Sequence, residues 1–331
     1  MADPTTRDEF ALIDRFFAPL AESEPGAFGL RDDAAALEVT PGCRLVVTTD
    51  ALVAGIHFLP DDPPDLIARK ALRVNLSDLA AMGARPRAYT LAAILPNTVS
   101  DDWLAAFRDG LAGDQREYGV VLVGGDTVAT DGGLTLSITA FGECSGPVVT
   151  RAGARPGDAI YVTGSIGDAA LGLRARLGRL NTDPDVRAML IERYRLPQPR
   201  VELGPRLASI ASAMIDVSDG LIADLGHIGA VSGVATILRS ADLPLSEAVG
   251  RALAADPTLL PAILGGGDDY ELLFTAAADR AAEIAALAAA SDVMITQIGR
   301  IAEGEPMVRV EGPDGTPMDV ALAGFRHFDS R

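Results

Sequence analysis

The sequence predicts an α+β protein of two domains, and three observations carry that prediction. At 331 residues the chain exceeds the usual size of one domain and is comfortable for two. Short β-branched apolar runs and longer stretches of helical spacing follow one another in an order that mixes hairpins with helices, which favours α+β over a strictly alternating parallel sheet. A turn-rich segment, Arg151-Ala-Gly-Ala-Arg-Pro-Gly-Asp158, falls near the middle and sets the expected domains at 1–150 and 151–331.

The elements follow in order. Phe10, Ile13, Phe16, Phe17 and Leu20 have helical spacing and predict an amphipathic helix over the first twenty residues. An acidic loop, Arg31-Asp32-Asp33, precedes Arg44-Leu-Val-Val-Thr-Thr-Asp50, which reads as a buried strand ending in an acid. From Asp65 to Gly83 the pattern is helical, with Gly83 and Pro86 as stop signals. A strand near Arg87–Leu95, a helix near Asp101–Tyr118 and strands at Val120–Val123 and Leu134–Phe141 complete the first domain. The second is expected to hold strands near Ala159–Thr163, Ala213–Asp216, Val234–Leu238, Tyr270–Thr275 and Val293–Arg300. Helices are expected near Asp168–Leu177, Arg200–Ala211, Leu221–Val231 and Asp279–Ala289. Neither a short-period repeat nor a low-complexity tail is present.

Composition narrows the function classes. An apolar content of 48% with 22% charged residues is that of a globular protein, and no run of ~18 apolar residues suggests a membrane span. The opening MADPTTRDEF lacks a basic segment followed by an apolar one, so a cytoplasmic protein is expected. Cys43 and Cys144 alone build neither a disulfide framework nor a four-ligand zinc site. A formal charge of −18 argues against a nucleic-acid partner, because phosphate backbones are held by clustered Lys and Arg. That inference weakens where metal ions stand between protein and phosphate. Of 28 basic residues only Lys70 is a lysine, a compact point charge where arginine is the default.

The acids concentrate at the ends of elements: Asp32, Asp33, Asp50, Asp78, Asp126, Asp216, Asp219, Asp268 and Asp269. Several follow strongly apolar runs, where a carboxylate is costly unless a positive charge meets it, and a hard divalent cation supplies that charge. Thr48-Thr49-Asp50 offers two hydroxyls and a carboxylate suited to Mg²⁺; a turn or helix cap explains the same residues. Asn75 and Asp78, three apart, share a helix face, and Lys70 is either an ion-pair partner for Asp78 or a phosphate contact beside an Asp78-bound metal. Val120-Val-Leu-Val-Gly-Gly-Asp-Thr127 breaks an apolar run with two glycines and an acid, which fits a backbone approach to an anionic ligand or a plain hairpin turn. In Asp216-Val-Ser-Asp-Gly-Leu-Ile-Ala-Asp224, Asp219 is a helix N-cap or part of a metal or phosphate site with Asp216 and Ser218. Gly265-Gly-Gly-Asp-Asp-Tyr-Glu271 reads as a flexible loop or a substrate-gating turn. His57, His227 and His327 are too scattered for a zinc site, and His57, just beyond the Thr-Thr-Asp strand, is the best functional candidate. No P-loop, protein-kinase signature, G-x-S-x-G or Cys/His nucleophile pattern is present.

Taken in order, these motifs resemble the thiamine-monophosphate kinases of the aminoimidazole-ribonucleotide-synthetase-like superfamily. The matching pieces are Asp32-Asp33-Ala-Ala, Thr48 through Phe58, Lys70 through Gly83, Gly124-Gly-Asp-Thr127, Ala154-Arg-Pro-Gly-Asp158, Asp216 through Leu221, Asp269-Tyr-Glu-Leu272 and Gly324-Phe-Arg-His-Phe328. They span almost the whole chain. The resemblance implies ATP-dependent transfer of phosphate onto thiamine monophosphate, giving thiamine diphosphate, by direct in-line displacement in a two-domain α+β enzyme that dimerises through its N-terminal sheets. Carried over by position, it implies that Asp33, Thr48, Thr49, Asp50, Asp78, Asp126, Asp216 and Asp219 hold several Mg²⁺ ions. Gly125, Asp126, Arg151 and Ser218 would meet ATP, and His57, Asp268 and Phe325 the thiamine end. No covalent catalytic residue is implied; Asp50, Asp78 and Asp126 would assist through metal.

Three positions depart from the family pattern. Arg31 stands where a glycine is usual before the paired acids, Asp268 replaces a glutamate, and Phe325 lacks the polar group of a Tyr or Trp. Two rival readings remain. Another ATP-using enzyme of the superfamily would cyclise formylglycinamidine ribonucleotide or activate selenide, though the first 42 residues hold no cysteine for the latter. A non-catalytic acidic metal-binding protein would bind Mg²⁺ or Ca²⁺ without turnover, against which stands the ordered recurrence of glycine, hydroxyl and acid at element ends.

Overall fold

The computed structural model describes residues 9–318, and Phe325 lies outside them. The chain forms two compact units. Of the described residues, one unit holds those up to Leu79 with Ala84–Ser145, and the other holds Ala80–Gly83 and those from Gly146 onward.

The first unit opens with α1 (Glu9–Leu12), which runs into a π turn at Ile13–Phe17 and a 3-10 turn at Ala18–Ala21. The single amphipathic helix expected here is therefore three short pieces. Pro19 lacks an amide and tightens the last of them, while Phe16, Phe17 and Leu20 are still buried as the spacing required. Next come β1 (Arg44–Val53), α2 (Pro64–Ala81), β2 (Arg85–Pro96), α3 (Asp101–Tyr118), β3 (Val121–Thr130) and β4 (Thr135–Cys144). The strands order as β1-β4-β2-β3, antiparallel except for the β2–β3 pair, whose connection is α3. Ser100 caps α3 by accepting from the Trp103 N–H, and Gly119 ends it in the left-handed conformation.

The glycines at 124 and 125 do not break the strand as a hairpin would; they lie inside β3. A Cβ on Gly125 would sit 1.9 Å from the Leu91 carbonyl oxygen, so packing against β2 demands glycine there. Helix α2 is buried nearly all round, including Lys70, Arg73, Asn75 and Ser77. Its polar anchor is Arg73, which donates to both Asp114 oxygens on α3 at 2.8 and 2.9 Å, while Arg69 adds a third bond at 2.7 Å. This fork satisfies a fully buried carboxylate and fixes α2 against α3.

The second unit holds β5 (Ala159–Thr163), α4 (Asp168–Arg176), α5 (Pro184–Arg195), α6 (Gly204–Leu207), β6 (Ala213–Asp216), α7 (Leu221–Ser232), β7 (Ala235–Arg239), α8 (Glu247–Ala255), α9 (Leu260–Gly265), β8 (Leu272–Ala276), α10 (Ala281–Ser291), β9 (Ile295–Ala302), β10 (Val308–Glu311) and β11 (Pro317–Met318). Its sheet orders as β11-β10-β7-β9-β5-β8-β6 and is antiparallel except at β10–β7. The helix expected at 200–211 shrinks to four residues, because Pro205 is tolerated only in a first helical turn. One apolar core runs from Ile160 and Val162 through Leu225 and Ile228 to Leu273 and Ile298. Among the described residues, no helix is long and apolar enough to cross a membrane.

Candidate functional site

In the first unit, strand alternation sends Thr48 and Asp50 to one face of β1 and Thr49 to the other. Thr48 donates to Asp78 at 2.6 Å, and Asn75 accepts from the Asp50 N–H at 3.1 Å. Asn75 is itself held, donating to the Ala71 carbonyl at 3.0 Å. Burial, then the neighbouring Asp78 charge and its hydrogen bond, push the Asp50 carboxyl up to about 6. Two adjacent carboxylates beside a threonine hydroxyl repel when both are ionised, and a hard divalent ion among those oxygens removes the penalty, so the donor set fits one. Thr49 is engaged elsewhere, donating to the Ile138 carbonyl and accepting from Thr139, both at 3.1 Å. Its hydroxyl does not join Thr48, Asp50 and Asp78. Beyond the strand, His57 accepts the Val53 N–H on Nδ1 at 3.0 Å, which selects the tautomer protonated on Nε2.

A second group gathers around a cavity of about 490 Å³ in the same unit. Its floor is strand residues including Thr90, Gly125 and Phe141, and its apolar wall comes from Ile13, Phe17 and Leu30. Asp32, Asp33, Asp126 and Thr127 supply the polar rim. Phe28, Gly29 and Leu30 all have positive φ, so the chain enters the paired acids through a left-handed stretch. Arg31, the cation beside those acids, is exposed and lies 3.4 Å from Asp14. Asp126 is exposed and accepts its neighbour Thr127's N–H at 2.8 Å. In register, Asp50 opposes Ile138, which opposes Leu91, which opposes Gly125. Three strand spacings of about 4.8 Å therefore lie between the edges that carry Asp50 and Asp126, roughly 14 Å along the sheet.

In the second unit, Asp216 ends β6 and is buried, and Ser218 and Asp219 follow in the loop before α7. Asp219 is not the helix cap; Gly220 occupies that position with φ 121°. Asp224 takes the amides instead, one oxygen accepting from the N–H groups of Ser218, Asp219 and Gly220 at 3.1 Å each. Burial and then the Asp219 charge push Asp224 up to about 7, while Arg151 pulls the other way. Asp219, Asp224 and His227 offer ligand atoms within 4.8 Å of one another. Arg151, Ser218 and Asp219 thus share one neighbourhood.

The loop 265–271 packs directly on this one. Asp268 N–H donates to the Ser218 carbonyl at 3.0 Å and Tyr270 N–H to that of Val217 at 2.8 Å. A Cβ on Gly267 would lie 2.0 Å from the Ser218 carbonyl oxygen, so this approach admits only glycine. Of the three acids in the loop, Asp269 and Glu271 are buried and Asp268 is half-buried. The sequence-predicted candidates thus form two groups in the first unit and one in the second. Asp224, Asp269 and Glu271 were not singled out for roles; in sequence they are acids beside a motif, and only their backbone and arginine partners distinguish them.

Residues 31–144 match the family described as AIR synthase related protein, N-terminal domain, and residues 155–311 match its C-terminal domain. The chain is 42% identical over 325 residues to the thiamine-monophosphate kinase of Escherichia coli strain K12, covering 97% of this chain and 98% of that protein. It is 41% identical over 321 residues to that of Caulobacter vibrioides, covering 96% and 90%. Among solved structures, thiamine-monophosphate kinase from Stenotrophomonas maltophilia K279a is 45% identical with a TM-score of 0.82, covering 93% of this chain and 96% of that one. AaThiL complexed with AMPPCP and TMP is 32% identical with a TM-score of 0.77, covering 98% and 100%.

Proposed function

This chain belongs to the AIR synthase related family, and we propose that it is an ATP-dependent thiamine-monophosphate kinase working with Mg²⁺. Similarity over nearly the whole chain to thiamine-monophosphate kinases carries the reaction, and the mutually repelling Asp50–Asp78 carboxylates beside Thr48 support the metal. Both substrates bring phosphates, which repel, so the task is charge neutralisation and in-line positioning rather than covalent relay. Thr48, Asp50 and Asp78 would hold Mg²⁺ in the first unit, together with Asp33 and Asp126 at the cavity; Thr49, expected among these ligands, faces the other side of the strand. Asp216 and Asp219 would hold Mg²⁺ in the second. When bound, the ions neutralise phosphate oxygens and polarise the transferring group.

The rest falls to the chain's own groups. Gly125, Asp126, Arg151 and Ser218 meet ATP, and the cavity beside Gly125 and Asp126 offers apolar walls to its base. His57, Asp268 and Phe325 recognise the thiamine end. An acceptor phosphate is already largely anionic at neutral pH, so no general base is required. One of its oxygens bonds to the γ-phosphorus as the bond to the β,γ-bridging oxygen breaks, and ADP leaves.

The expected domains follow: 1–150 binds nucleotide and metal and mediates dimerisation, and 151–331 completes the substrate site. A homodimer through the N-terminal sheet is favoured by exposed Leu45 and Val47 on edge strand β1 and exposed Val128 on edge strand β3. The setting is the cytoplasm. The test is a pair of reactions with γ-labelled ATP. Label passing to thiamine monophosphate but not to free thiamine, with none trapped on protein, is the expected result; a labelled protein intermediate would exclude direct transfer.

A further inference from the structure

The sequence run Asp268-Asp-Tyr-Glu271 alternates two environments. Asp268 and Tyr270 are half-buried, whereas Asp269 and Glu271 are buried. The two outward residues both have positive φ, 73° and 51°, which costs a residue with a Cβ roughly 1–2 kcal/mol and persists only where surroundings enforce it.

The enforcing contacts come from the inward pair. Asp269 accepts the Gly167 N–H on one oxygen at 2.7 Å and the Ala169 N–H on the other at 3.1 Å. It thereby caps α4 from a distant part of the chain, since Gly167 has no side chain to do so. Glu271 is fully buried; Arg200 donates to both its oxygens, at 2.6 and 2.5 Å, and Arg193 adds a bond at 3.2 Å. Thr163 donates to Glu271 at 2.7 Å while accepting the Leu272 N–H at 2.8 Å. Between these clamps the backbone is laddered to residues 217–218 by Asp268 N–H, Tyr270 N–H and the Glu271 carbonyl, which accepts from Val217 at 2.9 Å.

We infer that Asp269 and Glu271 are positioning residues for thiamine monophosphate. Anchored to α4, Thr163, Arg193 and Arg200, they hold Asp268 in its left-handed conformation against the Ser218 loop. The inference rests on the proposed reading of Asp268 as a substrate contact. It replaces the picture of a mobile gating turn with a pre-strained, rigid one, in which the group facing the thiamine end and the loop facing the nucleotide move as one piece.

Steady-state kinetics of the full-length protein with thiamine monophosphate and ATP tests this with D268N, D269N, their double variant and the milder T163V. An Asn at 269 can accept only one of the two amides. D268N and D269N are each expected to raise KM for thiamine monophosphate about tenfold or more, with KM for ATP within about threefold. The double variant should be no worse than the poorer single one, as expected of groups acting as a unit. T163V should move the same constant in the same direction by less, and it carries the test if D269N does not fold. If D268N raises KM while D269N and T163V lower only the melting temperature, the positioning role is overturned and the reading of Asp268 stands. Should D268N itself leave KM unchanged, that reading and this inference fall together.

Discussion

Binding of Mg²⁺ should release a proton from the Asp50–Asp78 pair. Burial and the adjacent Asp78 charge hold the Asp50 carboxyl at about 6 against an ordinary 3.8. That difference corresponds to about 3 kcal/mol of unfavourable interaction in the ionised, metal-free pair. A cation that replaces the proton removes the penalty, so its affinity must depend on pH. With a carboxyl near 6, roughly 0.9 proton is released per ion bound at this pair at pH 5, roughly 0.5 at pH 6 and roughly 0.1 at pH 7. Apparent affinity at the pair should tighten about tenfold, or about 1.4 kcal/mol, between pH 5 and pH 7 and then level off. Titration calorimetry in two buffers of different ionisation enthalpy reads the proton count directly. Asp78→Asn removes the charged neighbour but leaves the burial, so it should shift the release to lower pH and weaken binding. Affinity and proton release that stay flat from pH 5 to pH 7 in the wild-type protein would refute the proton-release account.

Asp50 and Asp224 are pushed up by burial to about 6 and 7. The folded state therefore holds protons that the unfolded chain has lost, and the stability this contributes is present at low pH and disappears as pH climbs through those values. Metal-free protein should melt progressively lower from pH 5 to pH 7.5, with Mg²⁺ opposing the trend; a rising melting temperature would contradict it. Gly125→Ala should destabilise the protein by about 1–3 kcal/mol in denaturant titrations without any nucleotide, because the added Cβ meets the Leu91 carbonyl. Unchanged stability with lost ATP affinity would instead make Gly125 purely a ligand contact. Val47→Asp, at an exposed position on an edge strand, should shift the protein toward monomer in analytical ultracentrifugation while leaving the monomer folded.

Much of this architecture was legible from periodicity. Helix α3 and strands β5 and β6 lie where their apolar spacing and flanking turn residues put them, because each buries a single regular face or run. Helix α5 was missed although Val186, Leu190 and Tyr194 recur four apart and are buried; the polar residues between them mask the stripe. The helix expected at 200–211 failed because Pro205 outweighs local apolar spacing. At the site, the oxygen-ligand logic of Thr48, Asp50 and Asp78 could be read from residue types, and the structure brings those three together. It could not reveal that Thr49 faces away, a consequence of strand alternation at this register, nor that Asp224 gathers the amides of the loop before α7 while Gly220 takes the N-cap position. Three acids in Gly265–Glu271 looked equivalent in sequence; partners more than 60 residues away separate the two buried anchors from Asp268.

Phosphorus NMR of a single mixture of ATP, Mg²⁺ and thiamine monophosphate, run beside the same mixture with Asp50→Asn, tests the central claim most directly. Wild-type protein is predicted to convert the monophosphate resonance into the paired resonances of thiamine diphosphate, one for one with ADP, and the variant to leave both substrates largely unchanged. ADP accompanied by inorganic phosphate and no diphosphate, or a variant as active as the wild type, would contradict it.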